Sequence, residues 1–364
     1  KMAPLVARCC LAGLRSIPVV FIVAVIVWSY YAYVLQMCAW TVENTGEKVI
    51  YLVLYHPLLF MFAWAYWKTI FTPVGTVPKE FYLPPADLER FEHADNEDIQ
   101  RDILVKVVRE RNLPVQCRTN SGAIRYCEKC KCVKPDRCHH CSVCGACVLK
   151  MDHHCPWVNN CVCYTTYKFF VLFLGYALLY CLYIAATSAQ YFVKFWTGGL
   201  EQGGGRFHIL FLFFVSFMFG LSLVSLFGYH LYLTCNNRST LESFRAPIFR
   251  GGPEKDGFNL GRNNNFIEVF GEEKKKWFLP IFTSCGDGVM YPTRLAPGNS
   301  YSSMDTSTPT GATSPFQNNK SVNDSETLLG RQQKYLEEGV TEPPINNAVF
   351  DNQGVTFQDE FTKM

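Results

Sequence analysis

The chain has 364 residues, of which 34 are basic and 31 acidic, giving a net charge of +3, and 49% are hydrophobic. So small a positive excess argues against a nucleic-acid partner and fits a membrane surface carrying anionic lipid. The 17 cysteines would mean disulfides in a secreted protein. Most of them fall in a segment expected to face a reducing compartment, so metal ligation and thiol chemistry are expected instead.

Residues 1–16 form an N-terminal segment with Cys9 and Cys10 just before the first apolar run, where thiols can themselves be acylated or stay unmodified. Four apolar runs, at about 17–40, 49–71, 167–192 and 207–235, each exceed the roughly 20 helical residues that cross a bilayer. None contains Asp or Glu, and Trp28, Trp40, Trp64, Trp67 and Trp196 stand where headgroup-level aromatics are expected. The first run is too long for a signal peptide, and no small-x-small cleavage site follows it. Within the second, Pro57 should bend the helix, and His56 reads as an interhelical polar group. Arg8, Arg15, Lys68, Lys79, Lys150, Lys168, Arg238 and Arg245 flank the runs on one side, while the connections 41–48 and 193–206 carry few cations. Both termini and the segment 72–166 are therefore expected in the cytosol.

Residues 86–111 alternate charged and apolar positions at helical spacing, which predicts one surface helix beside a cysteine-rich segment. From Cys127 to Cys161 one ligand pattern, C-x2-C-x9-H-x6-C, occurs twice with a 14-residue offset: Cys127, Cys130, His140 and Cys147, then Cys141, Cys144, His154 and Cys161. Three thiolates and an imidazole are a closed tetrahedral zinc set, so two interleaved sites holding two structural Zn2+ are expected. A span of about 45 residues has too small a core to fold unaided, so the metals should hold a segment with little helix or strand. Cys132, Cys138 and Cys163 are surplus to that pattern.

Cys155 is also left over, directly after Asp152, His153 and His154. His153 can take or hold the thiol proton and Asp152 can fix the ring, which is what a nucleophilic cysteine requires. The alternative is that Cys155 replaces a neighbouring ligand and His153 is a turn residue. Lys134, Arg137 and Lys150 are the nearest cations for the phosphates of a substrate, unless they only solvate a metal-held loop.

The block Asp152-His153-His154-Cys155-Pro156-Trp157-Val158-Asn159-Asn160-Cys161, with Lys134-Pro135-Asp136-Arg137 before it, closely resembles the DHHC cysteine-rich domain of protein S-acyltransferases, the palmitoyltransferases. The resemblance covers roughly residues 15–285 and departs from the family at Cys163 and Thr166, where glycine and asparagine are usual. It implies a polytopic α-helical membrane protein with transmembrane helices 1 and 2 in 17–71 and helices 3 and 4 in 167–235. A cytosolic zinc-binding domain, about 117–166, would lie between the second and third helices within the loop 72–166. The implied enzyme transfers palmitoyl from acyl-CoA through acyl-Cys155 to cysteines of cytosolic-face membrane proteins, with His153 as base and Asp152 orienting it.

Asn237-Arg238-Ser239-Thr240-Leu241-Glu242 resembles the family's TTxE motif with Ser for the first Thr, which implies that Thr240 bonds the Asp152 side. Read from the residues alone, it is a helix start capped by Ser239 or Thr240, with Glu242 near the cap. Asn265 matches the asparagine of the family's second C-terminal motif, with a structural role. Residues 236–295 should thus pack on the catalytic domain, and 296–364, rich in Ser, Thr, Asn, Gly and Pro, should be disordered. Asp324 to Leu329 resembles an acidic dileucine signal. The Golgi is the expected membrane, with the plasma membrane and recycling endosomes as alternatives.

Two rival readings are weaker. A membrane-anchored zinc scaffold without catalysis has no reason to carry Asp152, His153 and Cys155, and a channel would show more ionisable residues within its spans, where there is almost nothing beyond His56 and His230. Tyr180 lies about 20 Å along the third span, and Ser29 reaches a similar depth on the first. If the helices enclose the acyl chain, as the resemblance implies, a bulky Tyr180 would floor the cavity while small Ser29 leaves room opposite, unless both are ordinary span residues.

Overall fold

The computed structural model describes residues 5–200 and 203–294, with side chains from Gly13 onward. The side chains of Cys9 and Cys10, and the tail expected over 296–364 with its dileucine-like motif, lie outside the described residues.

Among the described residues four helical segments are long and apolar enough to cross a membrane: Gly13–Thr41, Thr45–Phe71, Tyr167–Trp196 and Gly205–Cys235. Each is longer than its apolar run. The first is an α-helix, α1 (Leu5–Tyr30), that passes into a π-helical stretch, Tyr31–Thr41. The second, α2 (Thr45–Phe71), begins ahead of its apolar run because Asn44 caps it, accepting from the Gly46 and Glu47 amides. It runs through Pro57 without a break. His56 turns back on its own helix, its Nδ1 2.7 Å from Leu52 O, with its ring edge-on to Tyr30 of α1.

After α2, the expected single helix over 86–111 is two, α3 (Pro85–Glu92) and α4 (Glu97–Glu110). The break is where Asn96 caps α4 by accepting from the Asp98 amide, a local alternative that outcompetes continuation of the helix. Phe91, Ile103 and Leu104 bury themselves with Cys127, Cys132 and Val133, so the pair supplies apolar core that the cysteine-rich segment lacks.

That segment holds more strand than expected: six strands in three antiparallel hairpins, β1 (Tyr126–Cys127) with β2 (Cys132–Val133), β3 (His139–Cys141) with β4 (Ala146–Val148), and β5 (His153–Cys155) with β6 (Asn160–Val162). The registers coincide, Cys127 facing Cys132, Cys141 facing Ala146 and Cys155 facing Asn160. Lys131, Gly145 and Asn159 hold the same left-handed position in each turn, with φ of 57°, 68° and 47°. The repeat that the sequence shows twice is structurally threefold.

The chain then enters α5 (Tyr167–Trp196), which packs on α2 and on α6 (Gly205–Cys235). Beyond α6, a capping box between Ser239 and Glu242 starts α7 (Thr240–Phe244), and α8 (Arg262–Phe270) comes after it. Asn265, fully buried in α8, accepts from the Leu260 amide and donates to Cys235 O at the end of α6. Lys168 reaches Lys276 O and Thr283 Oγ1, and Tyr176 reaches Phe278 O, tying the segment after α8 to the start of α5.

Candidate active site

Each metal-ligand set is divided between two hairpins. The turn of one contributes a Cys-x2-Cys pair, and the facing strands of the next contribute a cross-strand pair, His140 opposite Cys147 or His154 opposite Cys161. The middle hairpin serves both sets, because alternate residues of a strand point to opposite faces: His140 goes one way and Cys141 the other. The donor atoms of Cys127, Cys130, His140 and Cys147 lie within 4.8 Å of one another, as do those of Cys141, Cys144, His154 and Cys161. In the first set the three sulfurs stand 3.6, 3.2 and 3.9 Å from His140 Nδ1. In the second they stand 3.7, 3.5 and 3.6 Å from His154 Nδ1. A tetrahedral site with bonds of about 2.3 Å to sulfur and about 2.1 Å to nitrogen has an S···N edge of about 3.6 Å. Both clusters therefore fit a tetrahedral metal ion. Cys132, Cys138, Cys155 and Cys163 belong to neither.

The same alternation separates the residues of β5. His154 turns to the second cluster, while His153 and Cys155, two apart, share the other face and line a cavity. Asp152, 1% exposed, stands just before the strand, its Oδ2 2.6 Å from His153 Nδ1. The Thr240 amide donates to Oδ1 and the Thr240 hydroxyl to Oδ2, both at 2.8 Å. Burial would raise the Asp152 carboxyl, but His153 and the Thr240 amide hold it below the usual carboxylate range. Burial would likewise depress the His153 imidazole, yet the bonds to Asp152 and Cys155 carry it up to about 9. Asp152 thus fixes one ring nitrogen and leaves the other for the thiol.

Sequence reading missed His230 as a neighbour of this site. It is buried near the end of α6, its ring 5.9 Å from that of His153 and 5.0 Å from that of Phe170, with Tyr167 Oη 3.3 Å from its Nδ1. A lone imidazole near the end of an otherwise apolar run was the available signal.

Two of the three cations expected to meet phosphates are turned inward. Arg137, 2% exposed, donates from Nε and Nη2 to the two oxygens of Glu242 at 2.7 and 2.6 Å, and from Nη1 and Nη2 to Asn237 Oδ1 and O. Its guanidinium lies 4.6 Å from the Phe258 ring and 5.2 Å from that of Tyr291. Lys150 Nζ donates to Glu268 Oε1 at 2.6 Å. A cation this deep must be paired, and both are neutralised by carboxylates of the C-terminal segment, so neither is available to a solvent-side phosphate. Lys134 is half-buried and remains. Glu242, which also accepts from the Ser239 amide, joins the C-terminal segment to the cysteine-rich one.

Removing one partner of such a pair costs about 3–5 kcal/mol. Glu268 Oε1, 3.6 Å from Arg137 Nη1, offsets part of that loss, so Glu242→Ala is expected at the lower end. A melting curve lowered by several degrees, with a smaller drop for Glu242→Gln, is the expected result; a midpoint within about a degree of the unmodified protein would refute it.

The cavity has a volume of about 530 Å3 and runs between the spans from His153 and Cys155, with apolar walls that include Phe62, Phe173 and Leu212. Ser29 and Tyr180 both line it, but not as expected: Ser29 leaves no open space opposite, because its Oγ lies 2.8 Å from Tyr180 Oη and the two side chains meet.

A family model described as DHHC palmitoyltransferase matches residues 120–246. Among curated proteins, the chain is 58% identical over 295 residues to Palmitoyltransferase ZDHHC20-A of Danio rerio, covering 81% of this chain and 82% of the relative. It is 54% identical over 289 residues to Palmitoyltransferase ZDHHC15 of Xenopus laevis, covering 79% and 85%. To Palmitoyltransferase ZDHHC2 of Homo sapiens it is 49% identical over 360 residues, 97% of each chain.

Proposed function

The chain belongs to the DHHC palmitoyltransferase family and is a protein S-acyltransferase of multi-pass membrane character, and from that premise we propose how its residues divide the work. Cys155 is the nucleophile. His153 already holds the proton taken from the thiol, its charged ring stabilised by Asp152, and the thiolate attacks the thioester carbonyl of a long-chain acyl-CoA; the bond from carbonyl carbon to CoA sulfur breaks, and CoA leaves with the proton that His153 returns. In the second half the thiol of an acceptor cysteine gives its proton to His153 and attacks acyl-Cys155, whose sulfur recovers it. Asp152 keeps the imidazole oriented and stabilises its charged form, and Thr240 holds Asp152.

The clusters Cys127, Cys130, His140, Cys147 and Cys141, Cys144, His154, Cys161 hold two structural Zn2+, a reading supported by their thiolate-rich donors and S···N distances. Lys134 is the remaining candidate for a CoA phosphate. About 117–166 is then the zinc-binding catalytic domain, and 236–295 its C-terminal support. The distribution of basic residues supports a cytosolic position for this domain and both termini, with acceptor cysteines on membrane proteins of that face and the Golgi as the first membrane to examine.

One observation carries the reading: on β5 the thiol and one imidazole face an apolar cavity while the next imidazole faces a metal cluster. Purified protein incubated with palmitoyl-CoA should carry a hydroxylamine-sensitive acyl adduct on Cys155, detected by peptide mass spectrometry. No adduct, or one confined to another cysteine, would overturn the assignment.

The cavity then takes the acyl chain, with Ser29 and Tyr180 limiting its length. Each methylene accommodated is worth about 0.8 kcal/mol, or roughly fourfold in preference. Tyr180→Ala should therefore favour longer acyl-CoAs in competition assays, and Ser29→Phe shorter ones. Unchanged profiles in both variants would remove the pair from the chain's path.

A further inference from the structure

Tyr180 is not held by Ser29 alone. Its hydroxyl also lies 2.7 Å from that of Tyr55 on α2, a fully buried residue that does not itself line the cavity. The direction of the chain of hydroxyls is set by the number of protons. Ser29 donates its single proton to Ile26 O at 2.8 Å, so it can only accept from Tyr180. Tyr180 spends its proton on Ser29, so it must accept from Tyr55. The Tyr55 ring is stacked on that of Tyr33, with centroids 4.5 Å apart and planes inclined by 10°. Tyr33 in turn donates to Thr187 Oγ1 at 3.0 Å, about two turns beyond Tyr180 on the same helix. The links close into a ring that joins the first span, α2 and α5.

We propose that Tyr55 is a positioning residue for acyl-chain specificity: by donating to Tyr180 from behind, it keeps that side chain against Ser29 and so sets the longest chain the cavity accepts. The inference rests on the reading of the cavity as the acyl-chain site. Nothing else bonds the Tyr180 hydroxyl from the α2 side among the described residues. Without the Tyr55 donor, Tyr180 keeps one hydrogen bond in place of two and can swing away from an advancing chain terminus.

Tyr55→Phe removes the donor and keeps the ring that stacks on Tyr33. The full-length protein in nanodiscs would be given equimolar palmitoyl- and stearoyl-CoA, and the two acyl adducts on Cys155 quantified by mass spectrometry. Tyr55→Phe should raise the stearoyl-to-palmitoyl ratio by about threefold, within the roughly fourfold available per methylene. Tyr191→Phe, which deletes a buried hydroxyl bonded to Glu47 further along α5, should leave the ratio unchanged. An equal loss at both lengths in Tyr55→Phe, or a comparable shift in Tyr191→Phe, would reduce Tyr55 to a packing role and overturn the proposal. An unchanged ratio in Tyr55→Phe beside a shifted one in Tyr180→Ala would overturn it and leave the cavity reading standing. Unchanged ratios in both would overturn the two together.

Discussion

Replacing Cys155 by Ser is expected to abolish acyl-enzyme formation and transfer, a fall of about three orders of magnitude or more, while both metal clusters stay filled. A hydroxyl beside one imidazole is a far weaker nucleophile than a thiolate, and the substitution changes one atom in a position that is otherwise fixed. Cys155 faces Asn160 across the third hairpin. The Asn160 amide nitrogen donates to Thr69 O, Ile70 O and Thr72 O, carbonyls at the end of α2 that the helix itself leaves without partners. The hairpin is thereby pinned to the end of the bundle, so serine will sit where the sulfur sat, and a loss of activity will report chemistry. Metal analysis provides the cross-check. If the variant lost one ion, Cys155 would be a ligand and the nucleophile would have to be sought elsewhere.

The second large effect is expected from the ligands themselves. Structural zinc contributes about 10–16 kcal/mol to the folding of small modules, far more than the core of this one can replace. Around the second cluster the buried apolar residues are few, Val148 and Met151 with the cysteines, whereas the first is backed by Phe91, Ile103 and Leu104 from α3 and α4. Cys161→Ala should therefore release metal, expose 139–162 to proteolysis and end activity, because the strand it faces also carries His153 and Cys155. Cys130→Ala should do more limited damage, since the helices still cover its hairpin. Limited proteolysis with metal quantification would decide. A Cys161→Ala protein that kept two metals and resisted protease would remove Cys161 from the ligand set.

The two four-donor clusters and the thiol outside them could be read from spacing alone because such a cluster is a local constraint: each pair of donors lies within a few residues or one hairpin. The spans were legible for the same reason, their apolar length being a property of contiguous sequence. What escaped was set by distant partners. Arg137 and Lys150 looked like solvent-facing cations until Glu242 and Glu268, more than a hundred residues later, drew them inside. His230 showed only as an imidazole in an apolar run; that its ring stands 5.9 Å from that of His153 depends on how α6 is placed against the third hairpin. The split of 86–111 was lost to a cap: Asn96 fits a helical pattern by polarity and ends it by hydrogen bonding.

The threefold hairpin register also decides how Cys155 is placed. Positions 127, 141 and 155 are equivalent, all cysteine, each facing the residue five places on. In the first two units another cysteine stands three residues later, at 130 and 144, and the next hairpin completes the tetrahedron; in the third that place is Val158, and α5 begins where a fourth hairpin would have stood. Cys155 thus occupies the opening position of a series that stops one unit early, with no cysteine three residues on and no following hairpin to complete a four-donor cluster around it. Where the array stops at the start of α5, the Cys155 sulfur faces His153 and the apolar cavity between the helices in place of a donor cluster.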